Sequence, residues 1–65
     1  MVVLKLVGQD GNAFFILGKA KRAFSQAGAS RTDIDAFFKE ATSGDYDNLL
    51  GVIMKYAEKF GVEIQ

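Results

Sequence analysis

The sequence predicts a small α+β protein in which helix dominates: a strand over 2–7, helices over 12–27, 31–41 and 44–60, and a closing strand over 62–65. Three observations lead there. An aliphatic, β-branched run opens the chain. Apolar residues then recur at helical spacing through three segments separated by glycine or by helix-capping residues. Finally, Val62-Glu63-Ile64-Gln65 alternates apolar and polar as a half-buried strand does.

Val2, Val3, Leu4, Leu6 and Val7 surround Lys5, and Gly8 stops the run. One face of this strand holds Val2, Leu4 and Leu6, the other Val3, Lys5 and Val7, so the strand is expected to be covered on both sides. Gln9-Asp10-Gly11-Asn12 is a turn with two readings. Asp-Gly between apolar segments suits a hairpin, which would make residues 13–17 a second strand. Asn12 also suits a helix N-cap. The stripe Ala13, Ile16, Leu17, Ala20, Ala23, Phe24 and Ala27 favours the helix, and Gly28 stands where a left-handed C-terminal residue belongs.

Ser30 opens the second helix, with Asp33 placed to complete a capping box. Ile34, Phe37, Phe38 and Ala41 form its apolar stripe. Ser43 or Asp45 caps the third, whose stripe is Tyr46, Leu49, Leu50, Ile53, Ala57 and Phe60, closed by Gly61. Residues 1–65 make one domain, and the closing strand is placed to pair with the first.

Composition excludes several chemistries. The chain has 65 residues, is 49% hydrophobic, and contains no Cys and no His. Disulfides, thiol nucleophiles, imidazole general bases and Cys- or His-based metal sites are therefore absent. A chain this short seldom builds a core worth more than about 3–5 kcal/mol without a staple. Eight cations balance eight acids, which argues against bulk electrostatic binding to DNA. The charge is uneven, however: residues 1–28 carry four cations against Asp10, and residues 29–48 carry two against five acids. No run approaches the ~20 apolar residues of a membrane span. The opening residues read as neither a signal nor a transit peptide, so a cytoplasmic location is expected.

Gly28-Ala29-Ser30-Arg31-Thr32-Asp33-Ile34 has the outline of a helix-turn-helix, with Arg22, Arg31 and Lys39 as its cations. Two features oppose it. Phe24 sits where close helix approach wants a small residue, and Asp33, Asp35 and Glu40 would face phosphates. Asp10, Asn12, Asp45, Asp47 and Asn48 supply oxygen ligands but lack EF-hand spacing; capping and turn formation account for them, and no metal or cofactor is expected. Catalysis by Asp10, Asp45 and Asp47 would require a pocket on which they converge.

On the first helix Phe15, Lys19, Arg22 and Gln26 form a line beside the buried stripe, and Phe14, Gly18, Lys21 and Ser25 form another. Gly18 within a helix costs about 1 kcal/mol relative to Ala, which suggests another backbone passing close. These aromatics, the two-faced strand, Val52 and Tyr56 make more apolar surface than one copy is expected to hide. A homodimer merging two small strand pairs into one sheet would cover it.

Asp10-Gly11-Asn12-Ala13-Phe14, Ile16-Leu17-Gly18 and the segment from Ala41 to Leu50 resemble a group of short, uncharacterised bacterial and phage proteins. Their shared pattern is DGNAF-x-ILG followed by ATSGDYD-x-LL. The resemblance spans most of the chain and implies a bacterial or phage origin but no activity. Asn48 stands where the pattern carries a His, so no imidazole role transfers. The expected function is a non-enzymatic protein-interaction module acting as a homodimer, with a helix-turn-helix regulator as the alternative. Its binding surface is expected at Asp10, Asn12, Phe15 and Lys19 with Ser43, Asp45 and Asp47, where Phe15 anchors and the acids accept from a partner's Lys or Arg.

Overall fold

The computed structural model describes residues 2–5 and 13–65. In chain order it contains β1 (Val3–Leu4), α1 (Ala13–Gln26), α2 (Arg31–Ala41), α3 (Tyr46–Phe60) and β2 (Glu63–Ile64). The protein is thus α+β and mostly helical. The two strands pair in parallel, Val3 with Glu63 and Leu4 with Ile64, so the three helices form the crossover that parallel pairing requires.

The helix ends explain the path of the chain. Gly28 (φ 101°) ends α1, where the Ala29 N–H reaches back to the Phe24 carbonyl at 3.0 Å and the Gly28 N–H to that of Ser25 at 3.1 Å. Ser30 then caps α2 through the full box: its Oγ accepts from the Asp33 N–H, and Asp33 accepts from the Ser30 N–H, both at 3.1 Å. Asp45 caps α3 by accepting from the Asn48 N–H at 2.9 Å. Gly61 (φ 71°) ends α3 in the left-handed region, and the Val62 N–H bonds the Ala57 carbonyl at 2.8 Å. This Schellman-type closure buries Val62 and directs β2 alongside β1.

The core is one cluster drawn from every element. Phe24 and Phe37 are 0% exposed, with Ile16, Ile53 and Ala20 beside them. Each helix contributes a ring: Phe24 and Phe37 meet edge-to-face at 4.9 Å between centroids, and Phe37 lies 5.4 Å from Tyr56.

Several expectations require correction. The strand foreseen over 2–7 is Val3–Leu4 among the described residues; its ladder is limited by a two-residue partner, and Leu6 and Val7 lie outside the description. It is covered on one face only, with Leu4 buried and Val3 and Lys5 exposed. The third helix begins at Tyr46 rather than residue 44, because Asp45 is extended (ψ −171°) and acts as the cap. The closing strand is Glu63–Ile64, Val62 being taken by the end of α3. The first helix occupies Ala13–Gln26 within the expected 12–27, and Asn12, its expected cap, lies outside the described residues. Val52 and Tyr56 are core residues of the single chain, not spare apolar surface. At Gly18 no described atom lies within 4 Å of where a Cβ would sit, so no backbone among the described residues makes the expected close approach.

Two stability outcomes follow. Phe37→Ala should cost about 3–5 kcal/mol, as much as a core of this size supplies, and should abolish the cooperative transition in thermal circular dichroism. Phe37→Leu, leaving a smaller void, should keep a lowered one. Gly61→Ala meets open space yet must hold a positive φ, so it should cost about 1 kcal/mol.

Candidate binding groove

α1 has two useful sides. Ile16, Leu17, Ala20, Ala23 and Phe24 are buried. The neighbouring line of Phe15, Lys19, Arg22 and Gln26, offset by three or four residues at each step, runs along a groove of about 720 Å³. Phe14 and Gly18 extend this wall, and Val3, Leu4 and Lys5 of the β1 segment form the other. Phe14 is 83% exposed, Phe15 54% and Val3 40%. The missing side chain of Gly18 leaves space between them.

Strand geometry gives the groove a polar edge. The Glu63 N–H donates to the Val2 carbonyl at 3.0 Å and the Gln65 N–H to the Leu4 carbonyl at 2.9 Å. The even-numbered carbonyls therefore turn toward β2, and by the alternation of the backbone Val3 and Lys5 present their polar groups on the opposite edge. No third strand occupies that edge among the described residues. The Lys5 carbonyl there accepts from Lys19 Nζ at 3.1 Å, and the same ammonium stands 5.7 Å from the Phe15 ring centroid. Lys5, Lys19 and Arg22 make the described lining cationic, and no carboxylate belongs to it.

A second polar cluster has a different character. Glu40 on α2 accepts from Lys55 Nζ through one oxygen and from the Tyr56 hydroxyl at 2.7 Å through the other, joining α2 to α3. The Lys55 hydrogen bond, then that of Tyr56, holds the Glu40 carboxyl below its ordinary range, while Glu40 pushes the Tyr56 hydroxyl up. Each group has its partner within the fold, so the cluster reads as a lock between helices.

The expected site residues separate accordingly. Phe15 and Lys19 come together in the groove. Ser43 and Asp45 lie in the α2–α3 turn and Asp47 in the first turn of α3, and none of the three lines the groove. Ser43 Oγ donates to the Glu40 carbonyl at 2.7 Å and Asp45 is the helix cap. Asp10 and Asn12 lie outside the described residues. Val3, Lys5, Phe14, Gly18 and Arg22 were not in the expected set; the second helical line on α1 and the outward alternation of the strand were the signals that point to them.

The nucleic-acid cations are likewise dispersed. Arg22 lines the groove, Arg31 a separate depression with Lys21 and Asp35, and Lys39 neither. Among the described residues no group of three acids could hold a metal ion, and no helix is long and apolar enough to cross a membrane. No family model matches the chain, and neither a curated protein nor a solved structure matches it significantly.

The Glu40 cluster has a pH consequence. Its folded carboxyl titrates below the ordinary value of 4.5, so its contribution is complete above that pH and is lost as pH falls through the folded value. Tyr56, raised from 10.0, contributes below that pH and loses its contribution as pH rises through its own. Thermal melts from pH 7 downward should show stability falling below about pH 4.5, with a shallower fall in Glu40→Gln.

Proposed function

We propose that the protein is a small, non-enzymatic interaction module that captures a polypeptide in the groove between β1 and α1. The observation that carries this reading is the edge of β1 without a neighbouring strand among the described residues, standing beside exposed apolar side chains on a helix. A strand edge supplies backbone donors and acceptors, and an adjoining apolar wall supplies side-chain recognition. Gly18 supports the reading further. It sacrifices helix propensity with no packing requirement among the described residues, and its effect is to keep the groove wide.

A second copy of the chain is the other reading, because the same edge would let two β1 strands pair into a four-stranded sheet. The apolar surface that first suggested a dimer is smaller than composition implied: Leu4, Val52 and Tyr56 are internal to one copy. A dimer built by pairing β1 with β1 would occupy the groove, and Phe38, Tyr46 and Met54 remain exposed apart from it.

Panning a random-peptide library on the immobilised protein tests the reading, with bound peptides mapped by amide chemical shifts. Selected segments should perturb Val3, Lys5 and Lys19, and Gly18→Leu should abolish their binding. Hits that map to α2 or α3 alone would contradict it. Gly18→Ala should meanwhile raise stability by up to about 1 kcal/mol while weakening the same peptides, separating folding from binding.

A further inference from the structure

We propose that the occupant of the groove is an acidic, extended segment of another polypeptide, added to β1 as a strand; this rests on the interaction reading above. Two independent features of the groove specify the class. The first is the strand edge. Val3 and Lys5 turn their backbone polar groups away from β2, at the spacing another β-strand matches. A nucleic-acid backbone has no alternating N–H and C=O groups to pair there.

The second feature is charge. Lys5 and Lys19 stand at one end of the edge and Arg22 further along α1, with no carboxylate among the described lining residues. Lys19 already shows what the position attracts: with no anion beside it among the described residues, its ammonium donates to the Lys5 carbonyl and stands near the Phe15 ring. A carboxylate on the incoming strand would give that ammonium a charged acceptor, and charge-assisted bonds are the stronger kind. Alternate residues of the added strand would point toward α1, where the space above Gly18 takes an apolar side chain and Lys19 and Arg22 flank it with positive charge. The recognised pattern is apolar residues alternating or interspersed with Glu and Asp.

The same charges oppose a second copy in this groove. A two-fold pairing of β1 with β1 brings the same patch of both subunits together. Lys5, Lys19 and Arg22 of one copy would face their own counterparts, and like charges at an interface disfavour the pairing.

The experiment uses four fluorescein-labelled probes on the full chain: an octapeptide alternating Val and Glu, its counterparts with Ser or Lys in place of Glu, and an eight-residue oligothymidylate. Anisotropy gives affinity and amide shifts give location. The expected result is binding of the Val/Glu peptide with shifts at Val3 and Lys5, about tenfold weaker for the Ser peptide and for Arg22→Gln, weaker at higher salt, and absent for the Lys peptide. Equal binding of the Ser and Glu peptides at Val3 and Lys5 would overturn the acidic assignment and leave the interaction reading standing. Silence from every peptide, while library-selected segments still map to the groove, would do the same. Binding of the oligothymidylate at Val3 and Lys5 without any peptide would overturn the proposal in favour of nucleic acid. Shifts at those two amides that grow with protein concentration alone would overturn it in favour of a second copy.

Discussion

The meeting of aromatic side chains from all three helices is the constraint on which the rest of the molecule depends. Phe24 of α1 lies edge-on to Phe37 of α2, 6.3 Å from Tyr56 and 5.6 Å from Phe60 of α3. A chain without cysteine has no disulfide to hold three helices in place. Burial of a side chain the size of Phe contributes about 1.5–3 kcal/mol, so these few rings form a large share of what a 65-residue chain can gather. The Lys59 ammonium stands 5.7 Å from the Tyr56 ring centroid and 5.6 Å from that of Phe60. The Glu40–Lys55–Tyr56 contacts fix the same α2–α3 pair through polar groups.

The groove follows from how that cluster orients α1. Turning Phe24 inward, together with Ala20 and Ala23, rotates the line of Phe15, Lys19 and Arg22 toward β1 rather than toward the other helices. β1 is held from its far side, through β2 and the Gly61 turn that places it. β1 is thus braced by β2 on one edge, with no strand on its other edge among the described residues. Function, in this reading, uses the side of α1 that does not enter the buried core.

Local chemistry made much of this legible in the sequence. The capping box at Ser30 and Asp33, the helix-ending glycines 28 and 61 and the α1 stripe from Ile16 to Phe24 all depend on residues within a few positions of one another, and the structure contains each of them, whereas Ala13 at the start of the expected stripe is exposed. Tertiary geometry was harder to read. Val52 and Tyr56 lie beside the main stripe of α3, yet α3 packs against both other helices and needs a buried face wider than one stripe. The coverage of Val3 was likewise overestimated, because alternation identifies two faces without saying which one meets a helix. Among the expected site residues, Ser43 and Asp45 have the composition of a binding turn but are engaged by a carbonyl and a helix cap. Phe15 and Lys19 were recognisable because a helical line off the buried stripe must face something other than the core.

One copy of the chain, on this account, closes its own core and leaves the outer edge of β1 without a strand among the described residues. Amide hydrogen exchange measured over about a hundredfold range of protein concentration tests this most directly. The expected result is that Phe24, Phe37 and Ile53 exchange slowest, at rates independent of concentration, while Val3 exchanges much faster than Leu4. Core protection that rises with concentration, or a Val3 amide protected as well as that of Leu4, would contradict it.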